Sequence, residues 1–156
     1  SPRARGAAAR PAGVGPVRVA ASVARVLLGV FLLVAGVGHL VVTDEFLAQV
    51  PPFLPAPTLV VVLSGFVEIA AGVAVLLAPH RHRPLVGLAV AALFVAVFPG
   101  NVSQYVTGTD GFGLDTDSAR ATRLLFQPLL VAWALWCTGA WTHLRRARAG
   151  RPARGR

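Results

Sequence analysis

The chain has 156 residues, a length suited to one domain, with 55% hydrophobic and only 13% charged residues and a mean hydropathy of +0.67. That balance excludes an ordinary soluble domain and points to the membrane class. The net charge of +9 is carried by arginine alone, and the single cysteine, Cys137, excludes an internal disulfide or a Cys-x-x-Cys redox pair.

Residues 1–17 are Arg, Ala, Gly and Pro without periodicity, which predicts a disordered basic arm. A four-helix domain is expected over 18–143, with helices at about 19–42, 58–78, 85–105 and 118–142, followed by a basic disordered tail at 144–156. Between Arg25 and Asp44 eighteen residues carry no formal charge, close to the ~20 that span a bilayer. Gly29, Gly36 and His39 fall on one face of this first helix, so it can approach a neighbour closely. Thr43 reads as the cap of a short helix from Asp44 to Val50. Four prolines in Pro51–Pro57 then rule out helix and suggest a stiff apolar lid over the bundle mouth.

The second long helix carries Ser64, Glu68 and Gly72 at intervals of four, beside Gly65. Glu68 is one carboxylic acid in an otherwise oily run from Thr58 to Ala78. A charge at the bilayer centre costs ~2.5–3.5 kcal/mol on insertion scales, so Glu68 should face protein and be paired or protonated. The turn Pro79–Pro84 contains His80, Arg81, His82 and Arg83 and reads as topology and lipid-headgroup contact rather than metal binding.

In the third helix Pro99 frees the carbonyl of Val95, and Asn101 follows directly. A Gly/Asp/Thr-rich loop at 107–117 reads as mobile, and Ser118 as the cap of the fourth helix, which contains Gln127 and Pro128.

Thirteen arginines lie at the two termini and the 79–84 turn, against two, Arg120 and Arg123, on the other side. The fold class is therefore all-α, an integral membrane four-helix bundle with both termini cytoplasmic. The same distribution favours anionic lipid headgroups over nucleic acid as the partner of the basic termini. Arginine without lysine, among abundant Ala, Val, Gly and Pro, suits a GC-rich genome and hence the bacterial cytoplasmic membrane.

With this topology His39, Ser64, Glu68, Asn101 and Gln127 converge in one half of the bilayer, together with both helix prolines. They form the candidate ligand-binding set, in a pocket under the proline-rich lid. Glu68 is its candidate for proton exchange; the competing expectation is an acid bonded to Asn101 or Gln127 that only fixes helix packing. No metal site is expected, and a lone intramembrane histidine without methionine argues against haem.

Gly36-x-x-His39, Val50-Pro51-x-x-Leu54-Pro55, Ser64-Gly65-x-x-Glu68-x-x-x-Gly72, Leu76-Leu77 and Phe98-Pro99-x-Asn101 occur in this order. Together they resemble the DoxX family of small four-helix membrane proteins, over roughly Arg25 to Tyr105, with Leu124-x-x-Gln127 extending the match. Leu40 departs from it, standing where an aromatic residue is expected. The resemblance implies a membrane subunit, with relatives linked to quinone-coupled sulfur oxidation and to oxidoreductase complexes. The disulfide chemistry of the related MauE-like branch needs thiols that Cys137 alone cannot supply. The leading expectation is thus a protein holding a small lipophilic ligand, a quinone, in this pocket; the sequence shows no electron carrier of its own, so a redox role requires a partner. The rival is an assembly chaperone or scaffold for another membrane protein. A transporter would need a second copy of the chain to supply paired broken helices.

Overall fold

The computed structural model describes residues 15–150. Its elements are α1 (Pro16–Val41), α2 (Thr43–Leu47), α3 (Pro57–Leu77), a 3-10 turn (His80–His82), α4 (Arg83–Thr107), α5 (Asp117–Cys137) and α6 (Ala140–Ala149). The expected arm at 1–17 lies outside the described residues up to position 14, and Pro16 and Val17 already belong to α1.

Proline sets the start of three of the long helices. Pro16 and Pro57 occupy the first position and Pro84 the second, where the missing N–H has no intrahelical partner to lose. Ala56 enters α3 from the left-handed region at φ 52°, a costly conformation for a residue with a Cβ, imposed between Pro55 and Pro57. The end of α4 is a glycine cap: Gly108 sits at φ 63°, and its N–H is satisfied by the Gln104 and Tyr105 carbonyls. Pro99 and Pro128 lie inside α4 and α5, which remain helical through them.

Two caps differ from expectation. Thr43 does not cap α2; its hydroxyl donates to the His39 carbonyl at 2.7 Å and so closes α1. Thr116, not Ser118, caps α5, its Oγ1 accepting from the Ala119 N–H at 3.2 Å.

The fourth helix is also not continuous to 142. Gly139, at φ 76°, breaks it after Cys137, and α6 departs at 76° to α5. The first part of the expected tail, through Ala149, is therefore helical, while 151–156 lie outside the described residues. An arginine-rich stretch can be helical because arginine is a good helix former.

α1 lies against α3 and α5, and α4 lies against α5 and α3, so the four long helices close a ring of neighbours. α1 and α3 meet through glycine. A Cβ on Gly36 would stand 2.6 Å from the Gly65 carbonyl, and one on Gly65 would stand 2.8 Å from the Gly36 carbonyl. Gly29 and Gly72 repeat the arrangement two turns away, with a Gly72 Cβ 2.9 Å from the Gly29 oxygen. The helices are in backbone contact, which only the absence of side chains allows.

The buried core, Leu28, Leu32, Val75, Val90, Ala91, Phe94, Ala134 and Cys137, fills the half of the molecule nearer the 3-10 turn. There Arg25 donates from Nη1 to the Val75 carbonyl at 2.5 Å, satisfying one of the orphan acceptors at the end of α3. Trp133 donates from Nε1 to the Ala24 carbonyl at 3.0 Å, joining α5 to α1.

The outward faces are apolar: Val34, Leu77 and Leu125 are among many large hydrophobic side chains left exposed. So continuous an apolar surface is not that of a water-soluble monomer. α1, α3 and α4 with its preceding turn are long and apolar enough to cross a membrane, and α5 with α6 makes a fourth if the bent pair is one span. The chain is an all-helical protein with three to four candidate membrane spans.

Candidate functional site

Above the filled core, towards the end that carries α2, the proline segment and the 108–116 loop, the helices line a partly open cavity of 280 Å³. Its wall includes all five residues expected from the sequence: His39 from α1, Ser64 and Glu68 from α3, Asn101 from α4 and Gln127 from α5. Pro51, Phe53 and Leu54 contribute to the rim, with Pro51 buried and Phe53 turned largely outward.

Periodicity explains the convergence. Ser64 and Glu68 share one α3 face with Gly65 and Gly72, which press on α1, so the acid is carried to the seam where His39 stands. The Nδ1 of His39 is 2.9 Å from the Ala35 carbonyl and 3.2 Å from Oε2 of Glu68. A carbonyl can only accept, so Nδ1 carries the proton. One N–H directed at Ala35 does not also serve the carboxylate: Glu68 is 8% exposed, and its Oε2 is buried without a hydrogen bond. The ring of Phe46, from α2, stacks on the His39 ring with centroids 3.6 Å apart, and Phe112 meets Phe46 edge-on at 4.4 Å.

The two amides are engaged with each other rather than with Glu68. Asn101 Nδ2 donates to Gln127 Oε1 at 2.9 Å, and Gln127 Nε2 donates to the Phe94 carbonyl. This carbonyl neighbours that of Val95, the one deprived of its partner by Pro99. The expectation that an amide would bond the acid is therefore replaced by a crosslink of α4 to α5.

Arg123 is the site residue that sequence reasoning missed. In the sequence it counts only towards topology, yet its side chain lines the cavity and its Nε donates to Asn101 Oδ1 at 3.2 Å. Its guanidinium also stands over the Phe112 ring, 5.9 Å from the centroid. The signal was available: Arg123 precedes Gln127 by four residues, so both occupy one helical stripe. The cavity wall thus carries both a cation and a buried acid; the chain Arg123, Asn101, Gln127 and Phe94 ties the cation to α4 and α5 and does not reach Glu68.

The loop expected to be mobile is tied down over this end. The Phe112 N–H donates to Glu45 Oε2 at 2.7 Å, and Gly111 packs so closely on α2 that a Cβ would meet the Glu45 carbonyl at 2.9 Å. Arg120, itself buried, donates to Asp110 at 3.0 Å, to Asp117 at 2.9 Å and to the Leu114 carbonyl at 2.8 Å. Its charged residues, read as loop formers, are the fastenings.

Among the described residues no three His, Cys, Asp or Glu side chains gather as a metal-holding group. His80 and His82 lie exposed at the opposite end from the cavity. The chain matches no curated protein and no solved structure. A family match covers residues 28–138, an interval that contains every residue of the cavity wall. The chain belongs to the family described as Domain of unknown function (DUF8561).

Proposed function

We propose that this chain is an integral membrane protein of DoxX type that holds a small lipophilic ligand, a quinone by chemistry, in the cavity beneath the α2 and proline-segment end. The observation that carries the reading is the buried Oε2 of Glu68 on the cavity wall, which stands 3.2 Å from His39 Nδ1 yet receives no hydrogen bond. A buried polar atom without a partner is costly unless something else supplies the donor. A cavity of 280 Å³ lies at the small end of ligand sites and suits a head group rather than a whole lipid.

The residues fit such a head. Arg123 and the Ser64 hydroxyl offer donors to ring carbonyls, while Glu68 can accept a proton at Oε2 from a ring hydroxyl. His39, held by Ala35 and Phe46, fixes a positive or dipolar edge beside the carboxylate. A quinone bound there would supply reversible two-electron, two-proton chemistry, with the electrons delivered by a partner oxidoreductase.

The arginine distribution supports an orientation with both termini in the cytoplasm of a bacterial cell and the cavity in the outer half of its plasma membrane. In that orientation α5 makes the fourth crossing and α6, set at 76° to it, lies along the inner surface. Arg145, Arg146 and Arg148 then meet anionic headgroups. A scaffold role is less favoured, because Gly29, Gly36, Gly65 and Gly72 are consumed by packing within the chain.

Gently extracted protein analysed by native mass spectrometry should carry a lipophile of quinone mass. Glu68→Gln should fold, retain the bundle and lose proton exchange with a bound quinone. Protein that extracts without any lipophile and fails to bind added quinone would overturn the reading.

A further inference from the structure

A second hollow, of 490 Å³, lies on the other side of part of the cavity wall. It is formed by Phe31 of α1, Leu114 of the α4–α5 loop, and Ala119, Thr122, Phe126 and Leu130 of α5. Those four α5 positions are spaced by three, four and four, so they make one stripe along the helix. The stripe rises ~16 Å from Ala119 to Leu130, about half the ~30 Å hydrocarbon thickness. Phe31, Thr122 and Phe126 are exposed, so the groove opens sideways, between α1 and α5, rather than towards the helix ends.

The groove and the cavity share four residues: Phe31, Arg123, Gln127 and Leu130. The two spaces therefore adjoin across these four residues, whose side chains belong to both linings. Below them the same seam is shut, because Phe31 packs on Trp133 at 6.0 Å and Trp133 is bonded to the Ala24 carbonyl. Above them nothing bonds α1 to α5 among the described side-chain contacts of the groove residues. Arg123 and Gln127 are the polar members of the shared wall, and the groove beyond is lined mainly by hydrocarbon.

We propose that the ligand is a single-tailed amphiphile whose head lies in the cavity and whose tail leaves through the α1–α5 groove into the bilayer, with Phe31 as the gate and Arg123 as the donor at the threshold. The proposal rests on the ligand-binding reading above and adds the class of ligand and its route. Continuity through a wall of side chains selects a tail that is covalently joined to the head, rather than an independent lipid chain. The role of the groove is steric. Lipid tails are as apolar as the groove, so occupancy gains little from transfer alone, but a tailed head cannot enter the cavity unless its tail has an exit.

The test uses the whole chain in detergent micelles, with tryptophan fluorescence quenching as the binding signal. The probes are a decyl-substituted dimethoxybenzoquinone and its tail-free methyl analogue. Ala119→Phe and Thr122→Phe fill the groove at positions that are not part of the cavity lining. Each should weaken the decyl probe by about tenfold or more while leaving the tail-free probe unchanged. Phe126→Ala, which widens the groove, should speed association of the decyl probe alone. Unchanged decyl binding in both filled variants would overturn the tail route while leaving the cavity reading intact, and so would an equal loss of both probes. If the wild type binds neither probe, the cavity reading fails and the route falls with it.

Discussion

Alanine at Gly36 and alanine at Gly38, two residues apart on α1, should change stability in opposite directions. A Cβ at Gly36 would stand 2.6 Å from the Gly65 carbonyl oxygen, 2.8 Å from Ile69 Cγ1 and 2.9 Å from the Ile69 nitrogen. Ordinary carbon–oxygen contacts begin near ~3.3 Å, so α1 and α3 must part by roughly 0.7 Å at this point. Two of the three obstacles are backbone atoms, which cannot swing aside. Overpacking of this kind costs ~1–3 kcal/mol, against a gain of ~0.5–1 kcal/mol from replacing a helical glycine by alanine. The net effect of Gly36→Ala is destabilising, by up to about 2.5 kcal/mol. At Gly38 the nearest atoms are Cε2 and Cζ of Phe46, both at 3.6 Å, an ordinary contact. Gly38→Ala therefore keeps only the propensity term and should stabilise by up to ~1 kcal/mol. Purified variants unfolded in mixed micelles and followed by far-ultraviolet circular dichroism would report both values. Equal effects, or a stabilised Gly36→Ala, would refute the close approach of α1 and α3 and the placement of Glu68 that depends on it.

Two further expectations concern α5. Gln127→Leu removes the bridge between Asn101 and the Phe94 carbonyl and leaves Asn101 Nδ2 buried without this partner. A loss of ~1–3 kcal/mol should follow, read in the same unfolding assay, and a neutral outcome would mean that the amide pair does not hold α4 to α5. Thr116→Ala deletes the cap on the Ala119 N–H and should cost ~1 kcal/mol. Hydrogen exchange should quicken at the start of α5 and stay unchanged at α3; uniform exchange across both helices would argue against a local capping role.

The long apolar runs, the single acid at Glu68 and the glycine intervals in α1 and α3 were legible in the sequence because each obeys a one-dimensional rule. Run length marks a span, a lone charge in hydrocarbon demands protein contact, and small residues at helical spacing mark a close face. The same rules singled out His39, Ser64, Glu68, Asn101 and Gln127, all of which line one cavity. Partnerships were not legible, since helix rotation and neighbour order decide which polar groups meet. Only the tertiary structure paired Asn101 with Gln127, set His39 rather than an amide beside Glu68, and brought Arg123 in from its apparent role as a topology marker. Likewise the Gly/Asp-rich loop resembled a mobile one locally, yet Glu45 and Arg120, distant in sequence or turned inward, fasten it over the mouth. Sequence determined which groups must be buried. The rotation of α5 about its axis, which no local pattern encodes, decided what they are buried against.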